Sequence, residues 1–197
     1  MQNKGIIKRL ETTADIFERC TEIYDDILYL KDINDSEKEI IENSSFLNRQ
    51  IDLEWRIIIV DLKKIFKKSE HYSILKILNF LLSNYKIIKW QNKITQEELR
   101  QYCFELENNE ILEARLALKG IRNRVVAHLD KNRHKYDDKI KITQIVTLMT
   151  FGKKVINRIY SSLTGTEFMF NHLKFSGIET IVNTISELQE NNKKNNA

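Results

Sequence analysis

The stretch KGIRNRVVAHLDKNRHK, residues 119 to 135, gathers Arg122, Asn123, Arg124 and His128 around two valines. A neutral imidazole, with a reference pKa of about 6.5, exchanges a proton near working pH. A guanidinium presents fixed donors that match the oxygens of a phosphate. Together the two are the smallest set for cleaving RNA without a metal. One manages the proton of the 2′-hydroxyl or of the leaving group, and the other stabilises charge developing at phosphorus. The plainer reading is that His128 caps a helix C-terminus and that Arg124 is a solvated or partner-facing charge.

The neighbourhood adds to the charge. Between residues 115 and 135 stand Arg115, Lys119, Arg122, Arg124, Lys131, Arg133 and Lys135, against the single acid Asp130. The whole chain carries only +4, which permits a nucleic-acid partner without implying one. The local excess is much sharper, and Arg115, Lys119, Arg124, Lys131 and Arg133 read as a phosphate-binding surface. A second basic run, DLKKIFKKSEH, sets four lysines around Phe66. It is either a further RNA-facing patch or a solvated helix end.

Helices must position these residues. The 197-residue chain has no proline, five glycines and many Leu, Ile, Lys and Glu, a composition that favours long helices over a turn-rich β architecture. Apolar spacing predicts helices over residues 6–30, 37–43, 47–68, 73–88, 95–104, 109–128, 143–163 and 176–190. Ile51, Trp55, Ile58, Leu62 and Phe66 form a core-facing stripe on the third. Trp55 and the aromatics Phe46, Phe66, Phe80 and Tyr85 are expected mostly in the core rather than stacked on bases. Thr95 with Glu98, and Ser176 with Glu179, have the form of capping boxes, and Gly165 marks a stop. The expected architecture is all-α: one helical domain over residues 1–190 with a long central helix pair and additional terminal helices, followed by a disordered tail at 191–197.

On an ideal helix over 110–128, Ile111, Ala114, Leu118, Ile121 and Val125 share one stripe, while Leu112, Leu116 and Asn123 lie on another side. Such a helix belongs at the centre of the fold or at a subunit contact. Arg122 and His128 fall about 120° apart around its axis. They share a site only if the helix end alters course, if they flank a cleft, or if a second subunit closes the gap.

The sequence also narrows the class. Cys20 and Cys103 are isolated, giving neither a disulfide framework nor a metal spacing and suiting a reducing compartment. The N-terminus is too charged for a signal peptide, and no apolar run reaches the roughly 20 residues a bilayer needs. A cytoplasmic protein without membrane contact is expected. The acidic pairs in YDD (24–26), DIND (32–35) and Asp137–Asp138 read as surface chemistry, so neither metal nor cofactor is expected.

The sequences LEWRIIIVDLKKIF, SILKILNFL and IRNRVVAHLD occur in that order. The last resembles the signature of HEPN domains, an Arg followed by a polar residue and, after four to six intervening positions, a His. The three together resemble the U2-type HEPN-like group associated with bacterial abortive infection, over roughly residues 45–165. That resemblance implies a helical bundle that forms a homodimer with its motif helices close together, so that both subunits contribute to one cleft. Many such proteins are metal-independent ribonucleases acting in phage defence or as toxins. By correspondence Arg122 would stabilise the scissile phosphate, His128 would do acid or base work, and Asn123 would position substrate or support the site. RNA is then the expected partner, with an antitoxin or a phage-derived regulator as a further one.

Two other classes stand beside this. A non-catalytic HEPN module that binds nucleotide or RNA, or that serves assembly, would use the same residues to hold a phosphate. A DNA-binding regulator fits less well, because Glu97, Glu98, Glu105, Glu107, Glu110 and Glu113 place repulsive charge where a recognition helix would approach DNA.

Overall fold

Helical periodicity governs the chain as expected. The computed structural model describes residues 3–31, 43–121, 140–170 and 177–195. Among them are seven helices and no strand: α1 (Lys4–Lys31), α2 (Ser45–Phe66), α3 (Ile74–Ser83), α4 (Gln96–Leu106), α5 (Asn109–Ile121), α6 (Ile142–Thr164) and α7 (Gly177–Asn195). The fold is an all-α, HEPN-like helical bundle. None of these helices is long and apolar enough to cross a membrane.

The chain forms two compact units, residues 1–18 with 59–171 and residues 19–58 with 172–197. In the second, Leu30 of α1, Leu47 of α2 and Ile178 and Val182 of α7 form a core, with Tyr29, Ile51 and Ile185 packed against it. In the first, α5 packs on α6, α3 on α4, and α4 on α5. Its buried side chains include Phe17, Leu62, Phe66, Leu78, Leu99, Leu118 and Ile156. Gly152 of α6 lies directly under the Phe17 ring, where a Cβ would come 2.7 and 2.8 Å from Cε1 and Cε2.

Several expected boundaries shift. The helix expected over 73–88 ends at Ser83, and hydrogen bonds hold the segment that follows it. The Tyr85 hydroxyl donates to the Ile94 carbonyl at 2.5 Å, the Trp90 indole N–H donates to the Tyr85 carbonyl at 3.1 Å, and the Gln91 and Asn92 amides both donate to the Ser162 carbonyl. At the other end of the chain, α7 continues to Asn195 rather than stopping near Glu190. Residues 37–42 of the expected short helix, and Ser176 of the second capping box, lie outside the described residues. Gly165 does stop α6. It takes φ 81°, a left-handed conformation glycine adopts without strain, and its N–H donates to the Ser161 carbonyl.

The expected stripe on α2 becomes fully buried towards its C-terminal end at Ile58, Leu62 and Phe66. The core expectation fails for two aromatics: Phe46 is 64% exposed and Phe80 43% exposed. Their spacing placed them on an apolar face, but no described element covers that part of it.

Candidate nucleic-acid-binding site along α5

Of the expected site residues, Arg122, Asn123, Arg124, His128, Lys131 and Arg133 lie outside the described residues. Arg115 and Lys119 are on α5, one turn apart on the same flank. Ala114 and Leu118 are buried, as the stripe requires, while Leu116 on the other side is 56% exposed.

The two cations differ in their surroundings. The Arg115 side chain is only 12% exposed. Its Nε donates to the Phe66 carbonyl at 3.3 Å, and one terminal nitrogen donates to the Leu106 carbonyl and to Glu107 Oε1. Phe66 closes α2 and Leu106 closes α4, so Arg115 satisfies carbonyls at two helix ends that lack intrahelical partners. One side chain of α5 thereby ties together the last turns of α2 and α4. Lys119, by contrast, is exposed and has no ion pair among the described residues.

Glu107 completes the corner. Its carboxylate also meets Lys68 Nζ at 3.1 Å. Partial desolvation pushes its pKa up, but hydrogen bonds from Lys68 and Arg115 and their charges outweigh this, and the carboxyl sits below its ordinary value.

These residues surround a cavity of about 510 Å³. Lys63, Lys67, Lys68 and Ser69 line one side, and Arg115 and Lys119 the other, with Phe66, Leu112, Leu116 and Leu118 supplying apolar wall and Glu107 the one carboxylate among the described residues. Among the described residues, five cations against one acid, over an apolar wall, suit an anionic ligand with a flat apolar part. The two basic runs were visible in the sequence; their convergence on one cavity was not. The only signal was that each run flanked a residue expected to be buried, Phe66 in one and Leu118 in the other.

A second charged cluster lies between α4 and α6. Arg158 grips Glu98 through two bonds, Nε to Oε1 at 2.6 Å and a terminal nitrogen to Oε2 at 3.0 Å, and also donates to Ser162 Oγ and the Lys93 carbonyl. Beside it, burial first and then the Glu98 charge push the Tyr102 hydroxyl up to about 12. This cluster fixes the start of α4 against α6. It explains why the capping box forms only by half: the Glu98 amide donates to Thr95 Oγ1 at 3.0 Å, while the Glu98 carboxylate is held by Arg158 rather than reaching back.

Cys103 offers no activated thiol, since burial and then the Glu107 charge raise its pKa. Among the described residues no three His, Cys, Asp or Glu side chains converge as a metal site.

Comparison with known proteins identifies a family. The family model described as HEPN AbiU2 matches residues 5–176, wider than the 45–165 carrying the motifs. No curated protein matches the chain. No solved structure does either. A match over most of the sequence, on a chain whose described residues are all-α, places it in the AbiU2 family of HEPN domains.

Proposed function

We propose that the protein is a metal-independent endoribonuclease of HEPN type, one functional domain over residues 1–190 that serves as a phage-defence or toxin component in the cytoplasm. The 2′-hydroxyl of a substrate nucleotide attacks its own 3′-phosphorus and the 5′-oxygen of the next nucleotide leaves, producing a cyclic phosphate and a free 5′-hydroxyl. His128 takes or supplies the proton of these steps, Arg122 stabilises charge on the phosphoryl oxygens, and Asn123 positions the strand. Lys119, Arg124, Lys131 and Arg133 contact the RNA backbone, and Arg115 adds its charge from beneath the surface. Two copies bring their motif helices together, so that Arg122 and His128 of both subunits frame one cleft. An antitoxin or a phage-derived regulator controls it.

The observation that carries this reading is the family match over residues 5–176, which includes the complete set Arg122, Asn123 and His128. A second reading, a HEPN module that binds RNA or nucleotide without cutting, draws support from the basic-rimmed cavity, which suits holding as well as cleavage. The test is incubation of wild type, Arg122→Ala and His128→Ala with mixed cellular RNA in chelator, with and without extract from phage-infected cells, followed by analysis of RNA ends. Cyclic-phosphate ends from wild type, lost in both variants, are expected. Equal cutting by all three would remove the assigned site. A folded dimer that binds RNA and leaves it intact under both conditions would establish the binding module instead.

A further inference from the structure

We infer that the cavity between the end of α2 and α5 holds one nucleotide of a single-stranded RNA beside the reactive phosphate, its base on the leucine wall and its phosphate on the lysine rim. This rests on the ribonuclease reading and adds to it a subsite outside the Arg–His motif. A cavity of about 510 Å³ is of a size that takes a small ligand. Its chemistry is divided as a nucleotide's is. Leu116, 56% exposed, and the half-buried Leu112 offer an apolar surface, which a phosphate site alone would not need. The exposed Lys67 and Lys119 and the part-buried Lys63 also line the cavity. The sole carboxylate among the described lining residues, Glu107, is matched by Lys68 and Arg115, so it does not oppose an incoming phosphate. Lys67 is held by an exposed pair with Glu70 at 2.8 Å, a contact weak enough to exchange for a phosphate oxygen.

Chain connectivity favours a strand over a free nucleotide. Lys119 precedes Arg122 by three residues, so their Cα atoms lie within about 11 Å whatever the intervening conformation. That distance is spanned by neighbouring nucleotides of one strand, and a base in the cavity would set which phosphate reaches the motif.

The experiment measures binding of a fluorescent single-stranded oligoribonucleotide to the full chain carrying His128→Ala, which prevents turnover, across a salt series. Lys119→Ala and Lys63→Ala are expected each to weaken binding about threefold or more and to lower the salt slope by about 0.7. Leu116→Glu, which places a negative charge on an already exposed position, is expected to weaken it about tenfold. Lys86→Ala, the same charge change on an exposed residue away from the cavity, should match the parent, and circular dichroism should show all variants folded. Pocket variants that bind like Lys86→Ala overturn the subsite. Adenosine monophosphate binding as tightly as the oligonucleotide also overturns it, in favour of a free-nucleotide site. The two readings fail separately: cavity-dependent binding with no cleavage by wild type removes the ribonuclease alone, and cleavage with cavity-independent binding removes the subsite alone.

Discussion

Arg115 and Lys119 stand one turn apart on one flank of α5, yet the structure assigns them different work, and substituting each by methionine separates the two. Arg115→Met keeps a long flexible side chain and removes donors that reach the Phe66 carbonyl at 3.3 Å, the Leu106 carbonyl and Glu107 at 3.3 Å. A hydrogen bond from a charged donor contributes about 1.5–3 kcal/mol when buried. The two carbonyl contacts take most of that, since the arginine is 12% exposed. The Glu107 pair adds little, because that carboxylate is 40% exposed and screened by solvent. The expected loss is about 2–4 kcal/mol, which for a chain of this size lowers the melting temperature by roughly 4–16 °C. Lys119→Met, on an exposed side chain, should stay within about 0.5 kcal/mol of wild type. Thermal and urea unfolding followed by circular dichroism measure both, and RNA binding below the first transition completes the comparison. Lys119→Met should weaken binding without changing stability. Equal stability of the two variants would refute the assignment of Arg115 to the helix ends.

Two further substitutions probe the buried interior. Glu54 is 5% exposed, its Oε2 has no hydrogen-bond partner among the described residues, and burial first, with the Asp26 charge adding, raises its pKa against a bond from Gln50. A carboxyl whose folded pKa is raised favours the folded state most below its ordinary value of 4.5 and loses that contribution as pH rises through the folded value. Glu54→Gln should therefore stabilise the protein by about 1 kcal/mol at neutral pH, and the gain should vanish in acid; a gain independent of pH would show the shift to be absent. Gly152→Ala gains about 1 kcal/mol of helix propensity but drives a methyl into the Phe17 ring, at about 1–3 kcal/mol or more. A net loss on urea unfolding, relieved when Phe17→Leu removes the ring tip, is expected, and a stabilised single variant would contradict the packing.

How far the sequence could be read depended on whether a feature was local. The helical period of α2 was legible because Ile58, Leu62 and Phe66 repeat on one face whatever packs there. Phe46 and Phe80 satisfied the same rule and came out exposed, since periodicity identifies a face but not what covers it. Thr95 was legible as a cap because its partner amide is three residues away. The other half of the box failed because Glu98 answers to Arg158, 60 residues on. The course of the chain after α3 was hidden for the same reason, since the Gln91 and Asn92 amides answer to the distant Ser162 carbonyl. Arg115 and Lys119 are the sharpest case. Spacing puts them on one flank, and only the arrival of two helix ends beside the first makes them unlike.

That difference also bears on how a basic surface is built. Like charges around one cavity repel in the free protein, and at physiological salt exposed charges still act on one another over roughly 8 Å. Five mobile cations would then spread apart and present no fixed geometry. Here Glu107 holds two of them, Lys68 at 3.1 Å and Arg115 at 3.3 Å, and Arg115 is further fixed by backbone carbonyls at the ends of α2 and α4. The corner is thus rigid where it meets the fold and adjustable at Lys119, the position nearest in sequence to Arg122. A strand seated there would be positioned by the wall and the fixed charges, while the flexible lysine follows its phosphate. Glu107, the one acid among the described residues that line the cavity, thus fixes part of the positive charge in place instead of merely diluting it.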